Sequence, residues 1–194
     1  MIETISTRKK KAWTEAELQA LPDEGYNYEL IDGELAMSPK NNFQHENIAA
    51  DLLMAMRIFA KSHRLGAVLG GSAGCWMTNK NLRAPDVSFI SKARLIKFGF
   101  KAGTKKFLPA APDLAVEILS PSNSRAEISA RLKDFFASGT EIAWIIDPEK
   151  ECAEVFHSST RRQLIDSGGV LEGEHLLPGF QYPIAGLFQA WEWE

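Results

Sequence analysis

Cysteines and long apolar runs are both scarce in this chain of 194 residues. The two cysteines, Cys75 and Cys152, stand far apart, and neither belongs to a CxxC pattern. This excludes a disulfide framework and supplies no paired ligands for structural zinc, so we expect both to be buried as small apolar residues. No apolar run approaches the length of a membrane span, and the N-terminus has no apolar signal-peptide core. These absences predict a cytoplasmic protein without a membrane segment.

The composition is that of an ordinary globular protein. Hydrophobic residues make up 45% of the chain and charged residues 24%, which excludes fibrous and disordered classes. The length suits one domain with a sizeable core. We therefore predict a disordered tail over residues 1–12 and a single domain over residues 13–194. The net charge of −3 excludes an indiscriminate, basic nucleic-acid binder.

Acidic residues are missing from the whole stretch between Asp86 and Asp113. This stretch also contains phenylalanines and glycines, and a basic, aromatic segment of this kind is suited to contacting phosphates. The alternative is a solvated connection whose lysines serve solubility. Its basic residues are Lys92, Arg94, Lys97, Lys101, Lys105 and Lys106.

Hydrophobic periodicity and turn signals predict a mixed α/β (α+β) domain with a central sheet. Asp32-Gly33 between two alternating segments predicts a β-hairpin. Apolar residues at helical spacing predict a long helix over 44–64 that Gly66 ends, and Ser124 with Glu127 forms a capping box that begins a second helix. Buried strands are predicted around 84–90, 114–119 and 142–146, and short strands at 153–157, 161–166, 169–171 and 181–184.

Two carboxylates stand inside apolar runs that read as strands. Asp86 lies within residues 84–90 and Glu117 within 114–119. An ionised carboxylate in a core costs several kcal/mol unless it is compensated. Consecutive strands are often neighbours, about 4.8 Å apart, so one divalent cation is able to compensate both groups. The alternative is that each carboxylate is structural, held by a helix N-terminus or by an arginine.

Several segments together resemble the Uma-type endonucleases, a branch of the PD-(D/E)XK nuclease superfamily. The resemblance extends from about residue 13 to residue 188, nearly the whole chain. It implies a restriction-endonuclease-like core in which helices flank a central mixed β-sheet, with an N-terminal hairpin and short C-terminal strands. The most distinctive matching segments are YELIDGEL at 28–35, APDV at 84–87, PDLAVEILSPS at 112–122 and AWIIDP at 143–148.

The resemblance also implies roles for individual residues. Asp86 and Glu117 are expected to bind Mg²⁺ or Mn²⁺, and Glu29 or His45 to complete the site. The superfamily pattern places a lysine two residues after the glutamate, where this chain has Leu119. The nearest substitute is Lys133 on the following helix; alternatively, Lys133 is an ordinary solvated helix residue.

The sequence therefore predicts a metal-dependent endonuclease that hydrolyses phosphodiester bonds of DNA. The basic segment, Arg125 and Arg131 are expected to contact phosphates, and the resemblance implies a homodimer that cuts two strands. The rival hypothesis is a catalytically weak or inactive nuclease-fold module that binds nucleic acid or a protein partner. Trp191 and Trp193 are predicted to serve packing or a dimer contact.

Overall fold

The computed structural model describes residues 3–4, 13–22 and 24–189. Strand β1 (Glu3–Thr4) pairs with the N-terminal hairpin. The other residues of the 1–12 segment, like Trp191 and Trp193, lie outside the described residues.

The predicted hairpin is present as strands β2 (Tyr26–Ile31) and β3 (Glu34–Pro39). Asp32 and Gly33 have φ angles of 52° and 84°, the left-handed pair that a type I′ turn requires. Helix α1 (Glu15–Gln19) precedes the hairpin and begins with a capping box between Thr14 and Glu17. The hairpin belongs to a five-stranded sheet in the order β1-β3-β2-β6-β5, where β5 is Cys75–Trp76 and β6 is Leu82–Arg83.

The central sheet has six strands in the order β11-β10-β9-β8-β7-β4. Strands β7 (Val87–Ser91) and β8 (Leu114–Ile118) are antiparallel neighbours, whereas β8 and β9 (Ile142–Asp147) are parallel. A parallel pair needs a crossover, which helix α4 (Arg125–Ala137) provides. The sheet is therefore mixed, as predicted. Its other strands are β4 (Gly66–Gly70), β10 (Cys152–Phe156) and β11 (Arg162–Ile165).

Helices cover both faces of the central sheet. Trp144 of β9 packs in the cluster of helix α2 (Phe43–Ser62), while its neighbour Ile145 packs with Leu132 of α4. Side chains alternate between the faces of a strand, so the two helices lie on opposite sides. The C-terminal strands β12 (Val170–Glu172) and β13 (Gln181–Pro183) pair with each other, and a 3-10 helix (Ile184–Leu187) follows them.

The structure differs from the predicted boundaries in two places. Helix α2 ends at Ser62. Arg64, with φ at 57°, is the left-handed residue after the helix, whereas the sequence predicted that Gly66 ends it. Gly66 instead begins β4, where an added Cβ would lie 2.0 Å from the carbonyl oxygen of Ile90. The basic segment begins with a helix of its own, α3 (Lys92–Lys97), which Ser91 caps. Both cysteines are buried and unpaired, as predicted.

None of the helices in the described part of the chain is long and apolar enough to cross a membrane.

Candidate active site

Asp86 and Glu117 meet at the end of the β7–β8 pair. Val87 is the register partner of Val116, so continuing the antiparallel register by one residue places Asp86 opposite Glu117. The backbone N–H of Ile118 donates to Oδ2 of Asp86 at 2.8 Å. Cβ atoms of directly opposite residues lie about 4.5–5.5 Å apart. The structure therefore brings together the two carboxylates that the sequence singled out.

Glu117 is buried, with a side chain that is 9% exposed. Nη1 of Arg131 lies 3.1 Å from its Oε1. Burial raises the pKa of Glu117 to about 8; Arg131 opposes this rise, and the nearby charges of Asp86 and Glu29 add to it. Burial thus favours the protonated form of Glu117, whereas a nearby cation favours its ionised form.

Arg131 of α4 connects Glu117 to the N-terminal hairpin. It donates to Oε1 and Oε2 of Glu29 at 2.7 and 3.0 Å, a two-pronged ion pair. Burial alone would lower the pKa of Arg131, but Glu117 and Glu29 more than reverse this and raise it. The guanidinium is therefore always charged. It was predicted as a phosphate contact, and in the structure it faces the carboxylates.

Glu29 accepts four hydrogen bonds in all. The other two come from the backbone N–H of Ala84 at 2.8 Å and from Nη1 of Arg83 at 3.1 Å. A carboxylate has about four lone-pair positions, so the protein itself satisfies Glu29.

Arg83 is a site residue that the sequence reasoning missed. It is buried, and on its far side Nε and Nη2 donate to Oδ2 of Asp134 at 2.8 and 2.6 Å. Little in the sequence indicated it, because Arg83 follows the polar segment 78–81 and precedes the apolar run 84–90. A buried arginine requires an anionic partner, and only the fold shows that Arg83 is buried.

His45 lies in the first turn of α2 and contacts Asp86. Its Nε2 is 3.1 Å from Oδ2 of Asp86, and the residue is 4% exposed. Burial lowers the pKa of His45, but the hydrogen bond and charge of Asp86 outweigh burial, so the pKa is raised. Nδ1 is buried and has no hydrogen-bond partner among the described residues. His45 therefore holds one oxygen of Asp86 in place.

Lys133 does not take the position expected of a substitute lysine. It is exposed on α4, two residues from Arg131, and two residues correspond to about 200° around a helix. The structure therefore places Arg131, and not Lys133, against Glu117. Leu119 packs in an apolar cluster with Leu132.

Most residues predicted to contact phosphates are exposed, and the two exceptions are Arg94 and Arg131. Arg94 pairs with Asp113 at 3.0 Å and donates to the carbonyl oxygens of Ala111 and Gly139, so it ties α3 to the core. The remaining residues of the set, apart from Arg131, are exposed: Lys92, Lys97, Lys101, Lys105, Lys106 and Arg125.

The donor set at Asp86 and Glu117 fits a magnesium-like cation. Oδ1 of Asp86 and Oε2 of Glu117 have no hydrogen-bond partner within the described residues, so each carboxylate keeps one oxygen for a ligand. The described part of the chain contains no cluster of three or more histidine, cysteine or carboxylate ligands. Mg²⁺ does not need such a cluster, because it usually binds one or two carboxylates, waters and substrate phosphates.

The charge balance of the site also favours a cation. Four carboxylates face two guanidinium groups, which leaves two negative charges uncompensated when every carboxylate is ionised and His45 is neutral. A divalent cation matches that difference and would make the ionised form of Glu117 favourable. The carboxylates are Glu29, Asp86, Glu117 and Asp134, and the guanidinium groups are Arg83 and Arg131.

A mixed sheet with helices on both faces is consistent with the restriction-endonuclease-like class of folds, to which the matching family belongs. A family model described as "Uma2: Putative restriction endonuclease" matches residues 15–185, and the chain belongs to that family. The fold is also that of the crystal structure of a putative nuclease belonging to DUF820 from Anabaena variabilis ATCC 29413. The TM-score is 0.77 and the identity 20%, over 91% of this chain and 97% of that one. No curated protein matches the sequence.

Proposed function

We propose that this protein is an endonuclease that hydrolyses phosphodiester bonds of DNA with Mg²⁺ or Mn²⁺ held by Asp86 and Glu117. Membership of a restriction-endonuclease family supports the nuclease class. The observation that carries the proposal is the placement of Asp86 opposite Glu117, each with one oxygen free of protein partners in the described residues. These are hard oxygen ligands beside unbalanced negative charge.

The residues of the site have separate roles in this proposal. A bound divalent ion supplies Lewis-acid polarisation of the phosphate and lowers the pKa of an attacking water. Asp86 and Glu117 hold that ion, and His45 orients Asp86 through its 3.1 Å contact. The exposed lysines and Arg125 contact the DNA backbone, which makes binding depend strongly on salt. A homodimer would present two such sites to the two strands.

One observation favours a second candidate, a catalytically weak or inactive module that binds nucleic acid or a protein partner. Arg131 already contacts Glu117, and Leu119 stands where the superfamily pattern has a lysine. An arginine that compensates Glu117 also competes with a metal ion for it.

Calorimetry with Mn²⁺ first tests the proposed metal ligands. We expect wild type to bind the ion, and both Asp86→Asn and Glu117→Gln to lose binding. Glu154→Gln is the matched control, because Glu154 pairs with Arg162 elsewhere on the same sheet.

A plasmid-nicking assay on the same samples then tests the activity. Nicking that requires the metal and disappears in both site variants supports the nuclease. Binding of Mn²⁺ without nicking, on supercoiled and on single-stranded DNA, favours the second candidate. Site variants that bind Mn²⁺ as tightly as Glu154→Gln contradict the assignment of the metal ligands.

A further inference from the structure

We propose that Arg131 is the residue of this site that binds the phosphate of the nucleic acid, and that Glu29 is a positioning residue that orients its guanidinium. The proposal rests on the proposed function, because it assigns a substrate contact within the same site.

The donor groups of Arg131 are only partly used by the protein. A guanidinium has five N–H groups. Both N–H groups of Nη1 are engaged, one by Glu29 and one by Glu117, and one N–H of Nη2 is engaged by Glu29. Within the described residues, the Nε–H and the second N–H of Nη2 have no partner.

These two free N–H groups lie on the same edge of the planar guanidinium. Two parallel donors on one edge are the fork that binds two oxygens of a phosphate. The Arg131 side chain is 18% exposed, and its Nε is not among the buried unpartnered atoms of the described residues, so the side chain is partly open to solvent. Glu117 contacts Nη1, across the guanidinium from the free edge. A phosphate on the free edge would therefore be a neighbouring phosphate of the strand, bound beside the one at the proposed metal ligands.

Glu29 accounts for the orientation of Arg131. It binds the adjacent edge of the guanidinium, formed by Nη1 and Nη2, through two hydrogen bonds of 2.7 and 3.0 Å. Glu29 is itself held by Arg83 and by the backbone N–H of Ala84. With all of its lone-pair positions occupied, Glu29 has none left for a metal ion. Its role is therefore to position the arginine.

The arrangement also explains why Leu119 does not leave the site without a cation. The charge that the superfamily pattern supplies from the strand comes here from α4, through Arg131. Lys133 is the natural control, because it is a cation on the opposite side of the same helix, α4, and its side chain is exposed to solvent.

The test measures binding of a short fluorescent DNA duplex by anisotropy over a series of salt concentrations, in Ca²⁺ buffer and without metal. We expect Arg131→Met to weaken binding about 10- to 100-fold, which is the loss of charge-assisted hydrogen bonds. The slope of log K against log salt is negative, and its magnitude should become smaller by about 0.9, as for the loss of one phosphate contact. Lys133→Met should change the affinity and the salt slope less than Arg131→Met does.

Conservative variants keep the proposal testable if Arg131→Met unfolds. Arg131→Lys preserves the charge but not the fork, so we expect the wild-type salt slope with about tenfold weaker binding. Glu29→Gln preserves both cations but loses the charged clamp, and should also weaken binding at an unchanged slope. A purely structural role for Arg131 would leave the slope unchanged in every folded variant.

The outcomes separate this proposal from the proposed function. If Arg131→Met and Lys133→Met lower affinity and slope equally, the assignment of the phosphate to Arg131 is overturned. Mn²⁺ calorimetry on the same variants reports the metal site independently. If wild type binds no Mn²⁺ but the Arg131 slope effect is present, the metal proposal fails and the phosphate contact stands.

Discussion

Replacing Arg131 by methionine should be the most informative perturbation of stability. The change removes three hydrogen bonds to two carboxylates whose side chains are 11% and 9% exposed. Breaking a buried ion pair from one side costs about 3–5 kcal/mol. Glu29 keeps Arg83 and the Ala84 N–H, and Glu117, with a pKa of about 8, takes up a proton at neutral pH. We therefore expect the lower end, about 3 kcal/mol.

Thermal unfolding in metal-free buffer at neutral pH measures this loss. For a domain of this size, 1 kcal/mol lowers Tm by about 2–4 °C, so we expect a decrease of about 6–12 °C. Lys133→Met on the exposed side of α4 should stay within about 0.5 kcal/mol of wild type. A decrease for Arg131→Met no larger than that of the control would refute the description of the site as a buried charge network.

Three further predictions concern pH and packing. The folded-state pKa of Glu117 is raised to about 8, so its ionisation destabilises the folded protein as pH rises. Metal-free Glu117→Gln should therefore be more stable than wild type near pH 9 and about as stable near pH 5. If Glu117→Gln instead loses stability relative to wild type as pH rises, the pKa of Glu117 is lowered in the folded protein and not raised. The pKa of His45 is also raised, so protonated His45 stabilises the folded protein. In the Glu117→Gln background, the loss of unfolding free energy caused by His45→Gln should therefore be largest at low pH and become smaller as pH rises through that pKa. Gly66→Ala should cost about 1–3 kcal/mol or more in urea unfolding, because its Cβ would lie 2.0 Å from the carbonyl oxygen of Ile90; a neutral substitution would mean that β4 and β7 separate freely.

Local patterns determined most of the fold. The Asp32-Gly33 turn and both capping boxes depend on residues within three positions of each other, so their physics is contained in the local sequence. The meeting of Asp86 and Glu117 was also predictable, because they lie on consecutive strands and such strands tend to pair.

The partners of the charged groups were decided by tertiary structure. Arg131 and Glu29 are 102 residues apart, and Arg83 and Glu29 are 54 apart. Their contacts depend on how α4 and the hairpin sheet pack against the central sheet, and hydrophobic periodicity carries no information on that packing.

Helix α4 shows the limit most directly. Its buried Leu132 identifies the apolar face, and Arg131 and Lys133 stand on either side of it, about 100° away in opposite directions. Periodicity treats the two flanks as equal, because it describes a face of the helix and not the direction in which that helix lies on the sheet. The packing of α4 on β8 and β9 determines that Arg131 contacts Glu117 and that Lys133 is exposed to solvent.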